Sequence, residues 1–141
     1  MSDAGGIYVV EVRLRRSNPI RVGQLGEIPF RAGAYLYVGS ARRGLRARLE
    51  RHARREKPRR WHIDYLTTVG AVEFAAVWPT EAVTECELAR RVAQLAGEHS
   101  SVAGFGCSDC RCRSHLFYLG KRRLRDVAAR FEGAGLVDLA K

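Results

Sequence analysis

Two short triplets, Gly6-Ile7-Tyr8 and Tyr37-Val38-Gly39, contain residue types that could act on a phosphodiester bond. Tyrosine is common in strands, so either triplet alone is compatible with a purely structural role. The second triplet, however, runs directly into a dense cluster of arginines. A phenol whose pKa, ordinarily about 10, is lowered by neighbouring cations can act as a general base. The two triplets together therefore predict a sheet edge that holds a phosphate group beside two phenols.

The arginine cluster extends from residue 42 to residue 60. It contains ten Lys or Arg residues and only two acidic ones, so it carries a net +8 of the +10 on the chain. Most of these cations are arginines, whose planar guanidinium binds phosphate in a bidentate manner. A charged run is often no more than a solvated helix face, but at this density like charges repel one another, and a bound polyanion relieves that repulsion. The charge therefore favours nucleic acid as the partner.

Within this cluster, Leu45, Leu49 and Ala53 recur every four residues, which predicts a helix that ends before the next proline. His52 falls between Leu45 and Leu49 on the apolar face, and Arg48 lies at the edge of that face. The other arginines spread over the exposed surface, where they can contact phosphate. The candidate phosphate or DNA contacts are Gly39, Arg42, Arg43, Arg46, Arg51, Arg55 and His62.

A second predicted helix, residues 81–96, carries a carboxylate on its apolar side. Glu85 shares a face with the apolar stripe, whereas Glu87 falls about 100° away on the wetter flank. An inward carboxylate needs a cation, because an unpaired buried charge costs several kcal/mol. The partner is either an arginine, as in a core salt bridge, or a bound divalent metal. The apolar stripe consists of Leu88, Ala89, Val92, Leu95 and Ala96.

Four potential soft-metal ligands lie within nine residues, namely Cys107, Cys110, Cys112 and His115. Cysteine and histidine are the usual ligands of zinc, so this group is a candidate zinc site. Its spacing is cramped, and the alternative is a reduced, partly buried loop without metal. Cys86 could complete such a site only if the fold brings it close. Three cysteines within six residues are poorly spaced for a disulfide framework, which favours a reducing compartment.

The segment Trp61-His62-Ile63-Asp64-Tyr65 is compatible with either a strand or a helix. As a strand, it would place His62 and Asp64 on one face, where the carboxylate could orient the imidazole. The alternative is a surface pair without consequence.

The periodicity of apolar residues predicts the helices and strands that would position these residues. Strands and helices mix without regular β-α-β alternation, which is typical of an α+β fold. We therefore expect a single domain over residues 1–141, with a core at about 6–118 and a basic helix at about 121–131. The predicted strands are 6–14, 34–39, 72–78 and 116–119, with a short hairpin at 20–30.

Composition excludes several classes of protein. A chain of 141 residues with 46% hydrophobic and 28% charged residues can bury a core, which argues against disorder. No apolar run approaches the roughly 20 residues needed to cross a bilayer. The first residues also lack the basic and apolar regions of a secretory signal. We therefore expect a cytoplasmic protein that does not insert into membranes.

The chain resembles the GIY-YIG nuclease superfamily in one set of residues. The set consists of the two tyrosine triplets, Arg48 and His52 on a basic helix, and the helix-borne Glu85. The segments 61–66, 85–89 and 105–118 resemble its small Uri-type branch, so the resemblance extends from about residue 6 to residue 118. It implies a central three-stranded antiparallel sheet flanked by helices. An extra C-terminal strand and helix would follow this core.

The resemblance also implies a divalent-metal-dependent endonuclease that hydrolyses DNA with one Mg²⁺ or Mn²⁺ ion. Tyr8 would be the general base that activates water, and Tyr37 would help to position it. Arg48 would hold the scissile phosphate and stabilise its developing charge. His52 would assist proton transfer, and Glu85 would hold the metal ion.

Three details qualify the match. The triplets are separated by 28 residues, which implies that the 20–30 hairpin is inserted between them. His62 matches a second histidine of some members. The superfamily pattern ends with an asparagine near the site, whereas Asn18 is the only asparagine here. Either Ser108 or Asp109 substitutes for it, or the chain is a non-catalytic nucleic-acid-binding module. Because no sequence-reading module is recognisable, specificity would come from DNA shape or from a protein partner.

Overall fold

The computed structural model describes residues 4–97, 99–106 and 112–140. The strands within these ranges are β1 (Ala4–Leu14), β2 (Asn18–Arg21), β3 (Glu27–Phe30), β4 (Gly33–Arg43), β5 (Ala71–Trp78), β6 (Leu116–Gly120) and β7 (Gly135–Asp138). The helices are α1 (Leu45–Ala53), α2 (His62–Thr67), α3 (Glu85–Ala96) and α4 (Leu124–Val127), with short 3-10 turns at Gly23–Leu25 and Ala128–Arg130.

One antiparallel sheet organises the molecule. Its strand order is β6-β4-β1-β5-β7, and β2 pairs with β3 in a separate hairpin. The α+β class and the hairpin between the two tyrosine strands are thus confirmed. The sheet has five strands instead of three, because β6 and β7 extend its two edges. Of these two strands, β6 is an expected addition and β7 is not.

Strand β1 lies in the middle of the sheet and is buried on both faces. Residues 7–10 form a continuous apolar run, which is typical of a strand covered on both sides. Helix α3 covers one face through Leu88 and Val92. Helices α1 and α2 and the hairpin cover the other face, through Leu49, Ile63 and Phe30. The two tyrosine triplets are therefore held on a rigid scaffold.

Helix α1 is shorter than the basic segment suggests. It ends at Ala53, and the backbone of Arg54 is extended. The ammonium group of Lys57 folds back and donates to the carbonyl oxygens of Arg51 and His52, each at 2.9 Å. These contacts satisfy carbonyl groups that a helix leaves without partners at its C-terminus.

Two other helices also differ from their predicted lengths. Helix α3 begins at Glu85 and not at residue 81, because the Thr84 side chain accepts a hydrogen bond from the backbone N–H of Glu87 and caps the helix. The C-terminal helix expected at 121–131 is reduced to α4 and a 3-10 turn. None of the helices within the described ranges is long and apolar enough to span a membrane.

The segment that sequence left open between strand and helix forms α2. Asp64 is fully buried there and accepts two hydrogen bonds from Arg51, at 2.8 and 3.1 Å. The backbone N–H groups of Arg60 and Trp61 donate to the same carboxylate at 2.7 and 2.9 Å. Asp64 therefore fixes the start of α2, and the hypothesis that it orients His62 across a strand is wrong.

Candidate functional site

The register between β1 and β4 explains why a glycine closes the second triplet. Tyr8 lies directly opposite Gly39, and its side chain is almost fully buried. A Cβ atom at position 39 would lie 2.6 Å from the Tyr8 hydroxyl oxygen, closer than side-chain carbon atoms approach in folded proteins. The Tyr8 ring thus lies over residue 39, and only glycine leaves room for it.

His52 of α1 contacts the Tyr8 phenol. The hydroxyl oxygen of Tyr8 and Nε2 of His52 are hydrogen-bonded at 2.8 Å, and His52 is 1% exposed. Burial and the nearby Lys57 ammonium lower the pKa of His52 to about 3, so the imidazole is neutral at physiological pH. Its Nδ1 is buried and has no hydrogen-bond partner within the described ranges.

Both phenols hold their protons more tightly than free tyrosine. Burial raises the pKa of Tyr8 to about 12, although the adjacent Arg48 guanidinium acts in the opposite direction. Burial also raises the pKa of Tyr37, and the nearby Tyr8 and Glu85 add to that shift. The direction is opposite to the expected lowering by cations, because desolvation of the phenolate outweighs the attraction of one guanidinium. The protein alone therefore presents a protonated phenol against a neutral imidazole.

Arg48 is held at the same place by two contacts. Its guanidinium donates to the backbone carbonyl of Ser40 at 2.9 Å and lies 4.6 Å from the centre of the Trp61 ring. A guanidinium over an indole is a cation–π contact, which restricts the rotamers of a long side chain. Trp61 is a residue that the sequence reasoning did not assign to the site. Its position beside a run of arginines is the one signal that could have indicated this role.

Glu85 occupies the first position of α3. The Ser40 hydroxyl donates to its Oε1 at 2.6 Å, and Nδ1 of His115 lies 2.8 Å from its Oε2. Burial alone would raise the pKa of the Glu85 carboxyl, but the contacts with His115 and Ser40 outweigh it and lower the pKa below the ordinary value. Glu87 instead accepts a hydrogen bond from the backbone of Thr84 at the exposed helix cap.

These residues surround one cavity of about 300 Å³. It is the size of a small ligand pocket, and among the described residues it combines phenols, imidazoles, guanidinium groups and a single carboxylate. His62 also lies here, where its Nδ1 accepts a hydrogen bond from the backbone N–H of Gly106 at 2.8 Å and burial lowers its pKa. The predicted residues along the wall are Tyr8, Tyr37, Gly39, Arg48, His52, His62 and Glu85, and the further ones are Ser40, Arg60, Trp61 and Gly106.

The other candidate phosphate contacts do not line this cavity. Arg51 is bound to Asp64 inside the protein and neutralises that carboxylate. The remaining four arginines are exposed on the surface around the end of β4, on α1 and just beyond it, where they can meet a polyanion. These four are Arg42, Arg43, Arg46 and Arg55.

A second group of ligand-type side chains lies behind Glu85. The sulfur atoms of Cys86 and Cys112 and a ring nitrogen of His115 all lie within 4.8 Å of one another, close enough to hold a metal ion. The fold thus brings Cys86 to the Cys/His segment. Cys107 and Cys110 lie outside the described residues.

The residues that could replace the asparagine of the superfamily pattern, Ser108 and Asp109, also lie outside the described residues. Asn18 begins β2 in the hairpin and does not line the cavity. The described part of the cavity wall therefore contains no asparagine.

Comparison with known protein families identifies the family described as "Domain of unknown function DUF123", whose model matches residues 7–136. This range extends from β1 into β7. The comparisons with curated proteins and with solved structures found no match.

Proposed function

We propose that this chain, which belongs to the family of the domain of unknown function DUF123, is a divalent-metal-dependent endonuclease that hydrolyses phosphodiester bonds in DNA. One observation carries the proposal. Tyr8, Tyr37, Arg48, His52 and Glu85 are distant in sequence but line a single cavity. The basic residues 42–60 adjoin this cavity and supply the positive charge that a polyanionic substrate needs.

Arg48 is the group that meets the scissile phosphate. It is the cavity cation restrained by both a backbone carbonyl and an aromatic ring, through Ser40 and Trp61. A guanidinium fixed in this way stabilises charge that develops on phosphate oxygens, without paying for reorganisation during the reaction.

Tyr8 and His52 form a proton relay. Because the pKa of Tyr8 is about 12, the fraction of the side chain that is deprotonated at neutral pH is negligible. The phenol must therefore pass its own proton to Nε2 of His52 as it takes one from the attacking water. The 2.8 Å hydrogen bond provides that path. A phosphodiester bound beside the pair brings negative charge, which favours the imidazolium that results.

Glu85 is the carboxylate in the cavity that would hold Mg²⁺ or Mn²⁺. A carboxylate has about four lone-pair positions, and the contacts with Ser40 and His115 occupy two of them. Mg²⁺ is commonly bound by one or two carboxylates, with water and substrate phosphate completing its shell, so the donor set fits it. Held by Glu85, such an ion would supply positive charge to the phosphate and to the leaving oxygen.

A cleavage assay on duplex, flap and branched DNA and on RNA, with Mg²⁺ or Mn²⁺, tests the proposal. Tyr8→Phe and Glu85→Gln should each reduce cleavage about 100-fold or more, because each removes a group that acts in the transition state. Two matched controls are available. Tyr118→Phe removes a phenol that donates to the Ala32 carbonyl away from the cavity, and Glu87→Gln changes the exposed cap carboxylate. Cleavage that the controls reduce as much as the site variants do would overturn the proposal.

A second function, a nucleic-acid-binding module without catalysis, is favoured by a different observation. Both oxygens of Glu85 already have contacts within the protein, and the described part of the cavity wall has no asparagine. This module would bind DNA with an affinity that falls steeply with salt and does not change when divalent ions are chelated. Fluorescence anisotropy of labelled DNA at several salt concentrations, with and without chelator, separates the two functions.

A further inference from the structure

Three side chains with soft-metal ligand atoms converge behind the cavity from separate parts of the chain. Cys86 is the second residue of α3, and Cys112 and His115 precede β6. His115 is 2% exposed, and both cysteines are partly buried. The proposed nuclease chemistry uses neither thiol.

The distances suit one metal ion. In a tetrahedral zinc site, bonds of about 2.0–2.3 Å place the ligand atoms roughly 3.3–3.8 Å apart. The ligand atoms here lie within 4.8 Å of one another, so a closure of about 1 Å by side-chain rotation completes three corners of such a site. A groove of about 830 Å³, lined in part by Cys86 and Cys112, gives an ion a path to it.

The ligand types select a different ion from the one expected at Glu85. Two thiolates and an imidazole favour zinc and other thiophilic cations, whereas a lone carboxylate with water and phosphate favours Mg²⁺ or Mn²⁺. The molecule would thus hold two unlike ions at two unlike sites. His115 lies between them because it is a candidate ligand at one site and contacts the carboxylate of the other.

We propose that Cys86, Cys112 and His115 bind one thiophilic divalent cation of the zinc class, and that this ion positions Glu85 through His115. An ion on Nε2 fixes the imidazole in the tautomer that is protonated on Nδ1. Nδ1 lies 2.8 Å from Oε2 of Glu85, so the bound ion holds a proton donor against that oxygen. Binding converts both thiols to thiolates and releases their two protons to solvent. The binding half stands alone, whereas the positioning half rests on the proposed nuclease function.

Cobalt provides a direct test of the binding half. The full chain, reduced and stripped of metal with a chelator, is titrated with Co²⁺ while thiolate-to-cobalt charge transfer and visible d–d absorption are recorded. We expect one equivalent of Co²⁺ to bind with the d–d bands of tetrahedral coordination, and Zn²⁺ to displace it. The charge-transfer absorption should be weaker in Cys86→Ser and in Cys112→Ser. Absence of the bands would overturn the site. So would bands that persist in Cys86→Ser but disappear in Cys107→Ser or Cys110→Ser, because they would place the ion in the loop instead.

Manganese tests the positioning half without relying on cleavage. Mn²⁺ prefers oxygen ligands, so its binding at Glu85 is followed by electron paramagnetic resonance in zinc-loaded protein, zinc-stripped protein and the Cys86→Ser variant. Loss of a partner that orients a metal ligand typically weakens metal binding about 10–100-fold, so we expect the Mn²⁺ Kd to rise at least about tenfold in the latter two. An unchanged Kd would overturn positioning.

The outcomes of these tests are separable from that of the nuclease assay. Loss of DNA cleavage in all forms, with the cobalt spectrum intact, would reject the nuclease but not the thiolate site. If Cys86→Ser fails to fold by circular dichroism, Cys112→Ser and chelator-stripped wild type answer the same question, because neither alters α3.

Discussion

Two glutamates of this protein lie against the same sheet in opposite electrostatic surroundings. Glu11 in β1 is 1% exposed and accepts hydrogen bonds from Nε and Nη2 of Arg123 and from the backbone N–H of Leu124. Glu85 keeps a third of its side-chain surface exposed, and the side chains it contacts are a hydroxyl and an imidazole. No lysine or arginine in the described ranges forms an ion pair with Glu85. A carboxylate that is fully compensated holds the fold together, whereas one that is partly compensated remains able to bind an ion.

The largest expected effect is the difference in stability between two variants, in which either Glu11 or Glu85 is replaced by glutamine. Glu11→Gln should lower the free energy of unfolding by about 3 kcal/mol, because Arg123 then keeps only its weaker contact with Glu73. Glu85→Gln should change stability by less than about 1 kcal/mol, because its amide can still accept from Ser40. Urea denaturation of wild type and of both variants measures these changes in the free energy of unfolding. Equal losses would mean that Glu85 is as structural as Glu11.

Gly39→Ala probes the crowded side of the cavity. The added methyl group would lie 2.6 Å from the Tyr8 hydroxyl, so the ring must shift. We expect a loss of about 2 kcal/mol in stability from overpacking, together with loss of the Tyr8–His52 hydrogen bond. Gly26→Ala is a poor control because its φ is +80°. Ala41→Gly, two residues along β4, is the better one. Thermal denaturation and the His52 imidazole NMR signals report the two effects.

Acidification should destabilise the protein through the buried imidazole of His52. His52 has a folded-state pKa of about 3 and an unfolded-state value near 6.5, so the unfolded chain binds the proton more readily between these pH values. Its contribution to stability therefore falls as pH drops below about 6.5, by about 2 kcal/mol at pH 5. Urea midpoints at pH 7 and pH 5 for wild type and His52→Gln measure this. The variant should lose less on acidification, and parallel losses would contradict the assignment.

The smallest expected effect is at Trp61. Replacing it by leucine removes the ring beneath Arg48 but keeps an apolar side chain. A cation–π contact at a partly exposed site is worth about 0.5–1 kcal/mol, so we expect DNA binding to weaken by roughly two- to fivefold. Tyr65→Leu, which removes the ring near Arg59 outside the cavity, is the matched control. Anisotropy titrations at one salt concentration compare the two, and equal weakening would remove Trp61 from the site.

Much of the cavity could be expected from local patterns. The spacing of Leu45 and Leu49 placed His52 on the buried side of α1 and Arg48 at its edge, and the structure shows both there. Periodicity reports which face of one helix is apolar. The grouping of the tyrosine strands with Glu85 came from the resemblance to a known family, because no periodicity relates residues 77 positions apart.

Other features had no local signal. The pKa of Tyr8 depends on how far the surrounding helices exclude water, which no spacing of residues reports. The contact of His115 with Glu85 depends on β6 pairing with the far edge of β4. For the same reason Cys86 could be named only as a conditional member of the cysteine group. Segment 61–65 was ambiguous because its helix is short and is fixed by Asp64 rather than by periodicity.

The hairpin between the tyrosine strands has a practical consequence. The pairing of β1 with β4 continues up to Leu14 and Gly33. The intervening chain therefore leaves and rejoins the sheet at this last residue pair. Its apolar side chains anchor it in the core, but an added side chain at Gly26 would meet nothing within 4 Å. A fluorophore-bearing peptide inserted directly after Gly26, with the glycine kept because its φ of +80° favours glycine, would thus leave the tyrosine register untouched, and the molecule could be tethered there for single-molecule observation on stretched DNA.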